Sequence, residues 1–129
     1  MFYRLKYPFL ILLLICILSV SKSQNAYTDS LVTQFRESGN DTASVLLLYD
    51  LSKYYLKSNK DSALLYANRG LYIAKRADYA KGIGVMYMIL GHVKVIENDL
   101  NNSIDYYTMA ESAFNECDCK EELAVICLV

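Results

Sequence analysis

At 129 residues the chain is long enough for one small domain, and its formal net charge of −1 comes from 13 basic and 14 acidic side chains. Lysine and arginine are scattered along the chain, which excludes the basic face that nucleic-acid binding requires. Pro8 is the only proline, so the chain beyond it favours helices joined by short turns.

The segment 1–23 is typical of a secretory signal peptide. Arg4 and Lys6 precede an apolar run of about ten residues, and small residues follow up to Ser23, which favours cleavage after that serine. The apolar segment is shorter than the roughly 20 residues that span a bilayer, so an uncleaved anchor is only the alternative. Removal of residues 1–23 would leave an exported domain, 24–129, with a net charge of about −4.

Hydrophobic periodicity predicts helices through the rest of the chain. The segment 27–38 has capping residues at its start and a glycine after its end, and therefore predicts an N-terminal helix, with a frayed arm as the alternative. Its apolar stripe consists of Leu31, Val32 and Phe35. Apolar residues at helical spacing then predict one helix pair over 43–77, a second over 80–116, and an incomplete helix over 120–129.

Comparison of the chain with itself reveals an internal repeat. Segments 47–52 and 86–91 match at an offset of 39, whereas 63–74 and 103–114, and 82–86 and 122–126, match at an offset of 40. The three comparisons agree within one position, and a turn one residue shorter after Tyr55 explains the difference. We therefore predict antiparallel helix pairs with a period of roughly 39–40 residues.

The segment from Met86 to Ala110 has the most specific motif. Its first part has an aromatic residue three positions before a Leu-Gly pair, at Tyr87, Leu90 and Gly91. After a polar turn, its second part has a small, an aromatic and another small residue, at Ser103, Tyr107 and Ala110. This order resembles the tetratricopeptide repeat (TPR), in which W-x-x-L-G precedes A-x-x-x-F. The chain departs from that pattern at Lys94, where an aromatic residue is usual, and no proline closes either repeat.

The resemblance is closest to the exported N-terminal TPR region of bacterial membrane-bound sensor histidine kinases and of TPR-containing transcriptional regulators. The segments 29–38, 47–75 and 81–91 carry it. It implies an all-α fold, a right-handed α-solenoid in which an N-terminal helix precedes about five repeat helices. It also implies a location in the periplasm or on the extracytoplasmic face of the cytoplasmic membrane.

Small residues are expected where the two helices of a pair cross. A side chain larger than Ser52 or Gly91 would push the backbones apart and cost packing contacts along the pair. The residues predicted to pack at these crossings are Leu51, Ser52, Tyr87, Leu90, Gly91, Ser103, Tyr107 and Ala110.

In stacked helix pairs the first helix of each pair lines a concave groove, where a protein or peptide binds. The candidate groove residues are Tyr49 and Lys53 in the first pair, and Met88 and His92 in the second. Their side chains would hold an extended peptide by stacking and hydrogen bonding, unless they are merely solvated or partly packed. The lysine and asparagine set with which some TPR domains grip a terminal carboxylate is absent, so that activity is not implied.

No motif predicts catalysis, a cofactor or a metal. His92 has no nucleophile motif near it, and Gly82 and Gly84 lie within a helical pattern, which favours packing over phosphate binding. Cys117 and Cys119 supply only two ligands where zinc requires four.

A bond between Cys117 and Cys119 is expected to be strained, and Cys127 is left over from any pairing. We therefore expect the three cysteines to be incidental.

At the offset of 40, Val129 corresponds to Ile89, so the Leu-Gly pair of a third repeat would come next. This favours a fragment of a longer protein. That protein would continue through more repeats and a membrane span to an output domain. A small complete protein is the alternative. The first functional hypothesis is a non-catalytic protein–protein interaction module, the sensory or scaffolding head of a signal-transduction protein. The second is a stand-alone exported binding protein or scaffold. An enzyme is the third and the least supported.

Overall fold

A computed structural model describes residues 6–39 and 41–126. Over these ranges the protein is all-α, as predicted, and contains no strand. The six helices of the described residues are α1 (Lys6–Ser38), α2 (Thr42–Tyr55), α3 (Lys60–Arg76), α4 (Ala80–Ile96), α5 (Leu100–Glu116) and α6 (Lys120–Ile126). Two parts of the predicted elements lie outside the described residues. They are the first five residues of the predicted signal and the last three residues of the predicted helix over 120–129, which include Cys127.

The N-terminal helix is longer than predicted. It begins at Lys6 rather than residue 27, so most of the predicted signal segment continues into it. The sequence has no glycine or proline between Pro8 and Gly39, and extending a helix costs little once it has formed. Gly39, with a φ of 75°, ends the helix. Among the described helices, none combines the length and the apolar character that crossing a bilayer requires.

The C-terminal part of α1 is a packed helix rather than a frayed arm. Leu31 is buried, and Val32 and Phe35 pack against the same cluster of core residues. The apolar stripe predicted for this segment therefore faces the core.

Three consecutive turns repeat with the same geometry. Asp78, Asn98 and Asp118 are evenly spaced along the sequence and adopt φ values of 51°, 58° and 51°. In each turn, the N–H of the following residue donates to the carbonyl five residues earlier at 2.9 Å, which is the helix-ending bond that a left-handed residue permits. The step from Asp78 to Asp118 covers one helix pair and equals the larger of the two sequence offsets, which confirms the predicted period.

The first pair departs from this spacing. α2 has 14 residues, whereas α3, α4 and α5 have 17 each. The predicted shorter turn after Tyr55 is wrong, because the connection has four residues where the later ones have three. The difference instead comes from α2, which ends two residues before the position that the offset of 39 assigns to it. The longer connection restores one of these two residues, so the first pair is one residue shorter in total.

Among the described residues the core consists of two clusters that meet at α4. The first lies among α1, α2, α3 and α4, and the second lies between α4 and α5, with Leu123 and Ile126 of α6 packed against it. α4 packs against α2, α3 and α5, so several of its faces are covered at once. The buried Gly82 and Gly84 of α4 are packing residues, as predicted, since a Cβ at either position would meet a neighbouring aromatic ring.

The expectation of incidental cysteines is wrong for Cys117 and Cys119. The structure joins them in a disulfide across the connection between α5 and α6. Asp118 between them adopts the left-handed conformation, and this turn brings the two Cα atoms to 5.2 Å, within the range that disulfides span. Sequence spacing alone does not reveal such a turn.

Candidate interaction surface

Tyr49 and Lys53 lie one helical turn apart on α2. Lys53 is exposed, and its Nζ lies 5.7 Å from the centre of the Tyr49 ring. Tyr49 is half-buried and packs against both core clusters. The tyrosine is therefore fixed by packing, while the ammonium of Lys53 has no ion-pair partner within the described ranges.

Met88 and His92 occupy the corresponding positions on α4. Met88 is only 8% exposed and belongs to the second core cluster, so it offers little area to a partner. His92 is half-buried, its Nδ1 lies 2.9 Å from the carbonyl oxygen of Met88, and its ring meets that of Tyr107 edge-on at 5.6 Å. Because a carbonyl only accepts hydrogen bonds, Nδ1 is the donor in this contact.

The fold brings the two rows of candidate residues together. Tyr49 packs against the cluster that contains Met88, so α2 and α4 present neighbouring surfaces. Leu46 and Val95 extend these rows and are 44% and 42% exposed. Neither was predicted from the sequence, although a spacing of three residues from Tyr49 and from His92 places them on the same helical faces. We call these six residues, three on each helix, the α2–α4 surface.

A cleft of about 530 Å³ adjoins this surface between α1 and α2. Lys53 lines it together with Tyr27, Asp50, Tyr54, Lys57 and Ser58. The rings of Tyr27 and Tyr54 lie 6.0 Å apart, so α1 contributes an aromatic wall. This cleft was not predicted from the sequence, because contact between α1 and α2 does not appear in the periodicity of either helix.

In the first pair, the predicted crossing residues Leu51 and Ser52 are fully buried. The Ser52 hydroxyl donates to the carbonyl oxygen of Leu48 at 2.7 Å. Its hydrogen-bonding need is thus met within α2, and a neighbouring helix packs against it without leaving a polar group unpaired.

In the second pair, Leu90, Gly91, Ser103 and Ala110 are buried. A Cβ atom built on Gly91 would lie 2.8 Å from Cε1 of Tyr107, so these two residues set the close approach of α4 and α5. Tyr87 is half-buried, and its ring lies 5.2 Å from Nζ of Lys75 and 6.2 Å from the ring of Tyr106.

The α2–α4 surface combines an ammonium group, an imidazole ring, a tyrosine ring and two exposed aliphatic side chains. These groups suit an extended peptide, which offers carbonyl acceptors, N–H donors and apolar side chains. Within the described residues no group of three or more His, Cys, Asp or Glu side chains has an arrangement that would hold a metal ion.

Comparisons of the chain with protein families, with curated proteins and with solved structures found no match.

Proposed function

We propose that this protein is a non-catalytic interaction module that binds an extended peptide segment of a partner protein across the α2–α4 surface. The observation that supports this most directly is the packing of Tyr49 against the cluster that contains Met88. Since α2 also packs against α4, the two candidate rows lie on neighbouring helices, with Lys53 exposed above the Tyr49 ring. The exposed aliphatic groups of Leu46 and Val95 extend that surface at both ends.

The setting we propose is the sensory or scaffolding N-terminal part of a bacterial membrane-bound signal-transduction protein. The repeated helix pairs and the TPR-like order of residues from Tyr87 to Ala110 support this, together with the signal-like segment before residue 24. In this setting the partner lies on the extracytoplasmic side of the membrane, and its binding is passed on to an output domain elsewhere in the same protein.

Site-specific photocross-linking tests the proposal. In one variant of the full chain a benzoylphenylalanine replaces Lys53. In the control variant it replaces Tyr72, which lies on α3 and is 61% exposed. Both variants are expressed in the organism that encodes the protein. We expect one discrete cross-linked partner from position 53 and none from position 72, and we expect that partner in the exported fraction. Equal cross-linking at both positions, or none, would contradict the assigned surface.

Cell fractionation and the gene sequence test the setting separately. A cross-linked partner found only in the cytoplasm would contradict export. Further repeats of the same period, an apolar span and a kinase or DNA-binding domain encoded in the same reading frame would support the signalling role. A stop codon directly after codon 129 would instead favour a stand-alone exported scaffold.

A further inference from the structure

A second cleft lies among α1, α2 and α3, away from the α2–α4 surface. Its volume of about 380 Å³ is within the range of small-molecule sites. Val32 and Phe35 of α1 line one side, Tyr66 of α3 lines the other, and the fully buried Leu51 of α2 contributes its inner wall. The surface that these side chains offer is mainly apolar and aromatic.

Two exposed arginines line this cleft and give it positive charge. Arg36 comes from α1 and Arg69 from α3, and none of the described residues that line the cleft is acidic. In the described part of the chain, every ion pair has a lysine as its cation. Within that part of the chain, neither guanidinium therefore has a carboxylate to neutralise it.

The position of Arg69 is set by an aromatic ring. The central carbon of its guanidinium lies 4.6 Å from the centre of the Phe35 ring. A guanidinium that stacks on a ring keeps its N–H donors free in its own plane. Since Phe35 packs against the first core cluster, the donors of Arg69 are held at the cleft and remain available to a ligand.

The walls of the cleft are fixed by contacts behind them. Tyr66 stacks on Tyr55 with the ring centres 5.6 Å apart and the planes 20° apart. Gly39, at the end of α1, also lines the cleft; its carbonyl accepts a hydrogen bond from the buried Ser44 hydroxyl, which in turn lies 2.8 Å from the hydroxyl of Ser38. Contacts within the protein therefore hold Tyr66 and the end of α1 in position at the cleft.

We propose that this cleft binds a small organic carboxylate with an apolar body. The carboxylate accepts hydrogen bonds from Arg36 and Arg69, whose planar forks match its two oxygens, and the apolar body lies between Phe35 and Tyr66. A highly charged anion such as a free nucleotide fits less well, since most of the cleft is apolar. The site is separate from the α2–α4 surface, so either proposal stands if the other fails.

Calorimetric titration of the full chain tests the site with a matched pair of probes, 1-naphthylacetate and its neutral isostere 1-naphthylacetamide. The acid should bind about tenfold more tightly than the amide, since a hydrogen bond to a charged group contributes about that factor. Arg36→Gln and Arg69→Gln should each remove that preference. Arg76→Gln, an arginine of α3 outside the cleft, should leave it unchanged, and circular dichroism checks that all variants are folded.

Three results would overturn the proposal. One is that the wild-type chain binds neither probe, or binds acid and amide equally. Another is that Arg69→Gln and Arg76→Gln behave alike. The third result is that the peptide Gly-Gly-Phe binds through its free carboxyl group while 1-naphthylacetate does not bind. The site would then recognise a protein C-terminus instead of a small acid.

Discussion

The ring of Tyr107 packs on the backbone of Gly91, at a contact between α5 and α4. A Cβ atom at Gly91 would lie 2.8 Å from Cε1 and 3.0 Å from Cδ1 of that ring, both closer than ordinary van der Waals contact. The same ring meets His92 edge-on at 5.6 Å. One aromatic side chain therefore links the spacing of the second helix pair to a residue of the α2–α4 surface.

We expect Gly91→Leu to lower the free energy of unfolding by about 1–3 kcal/mol, because the new side chain overpacks the contact with Tyr107. Urea denaturation followed by circular dichroism measures the change. Lys53→Ala is the control, and should change stability by no more than about 0.5 kcal/mol because Lys53 is exposed. Similar small effects of both substitutions would mean that Gly91 does not set the helix spacing.

The contact itself is tested by a double-mutant cycle. Tyr107→Ala should remove the atoms that Gly91→Leu collides with, so the double variant should lose less stability than the two single variants together. Strict additivity would show that Gly91→Leu acts through another neighbour.

The left-handed turn residues lead to a second prediction. Asn98 has a φ of 58°, a conformation that costs an ordinary residue about 1–2 kcal/mol but that asparagine and glycine adopt more readily. Asn98→Val should therefore destabilise the fold by about that amount, while Asn98→Gly should be close to neutral. Asn101→Val, an exposed substitution within α5, is the control, and its thermal midpoint should stay near that of the wild type. Equal effects of the two valine substitutions would contradict the turn geometry.

Glu97 makes stability depend on acid pH. Its carboxylate accepts hydrogen bonds from Lys94 and Lys60, which hold its pKa below the ordinary value of 4.5. Because the folded pKa is lower than the unfolded one, the ionised group favours the folded state above pH 4.5, and this contribution disappears as pH falls through the folded pKa. In Glu97→Gln, the free energy of unfolding should therefore fall less steeply than in the wild type as the pH is lowered through the acid range.

Urea midpoints measured from pH 2 to 7, a range chosen to span the ordinary carboxyl pKa, check this. Glu111→Gln, which removes an exposed carboxylate from α5, should leave this pH dependence unchanged. Added salt should reduce the difference between wild type and Glu97→Gln, because ions screen exposed pairs. Parallel curves for Glu97→Gln and the wild type would show that these ion pairs do not contribute.

The disulfide predicts a pattern of thiol labelling. When the protein is denatured without reductant and treated with an alkylating reagent, Cys117 and Cys119 should remain unlabelled. The peptide that contains both should have a mass two hydrogens lower than its reduced form. In Cys119→Ser, Cys117 should become labelled because it has lost its partner. Labelling of both cysteines in wild-type protein purified without reductant would contradict the bond.

Much of the candidate surface was predictable, because it depends on local spacing. Tyr49 and Lys53 share a face of α2 since residues four apart are neighbours on any helix, and His92 follows in the same way on α4. Met88 shows where this reasoning stops. Its position in the pattern is equivalent to that of Tyr49, yet the second core cluster covers it, and only the packing of neighbouring helices determines which face of α4 is covered.

Local features of the sequence are enough to predict that the chain is helical and that its helix pairs recur at a regular interval, since periodicity, helix caps and turn residues act over a few positions. The bond between Cys117 and Cys119 and the shared cleft of Arg36 and Arg69 were not predictable in this way. Both depend on how the chain folds back on itself. A turn conformation or a helix contact brings together groups whose separation in sequence carries no signal of their approach.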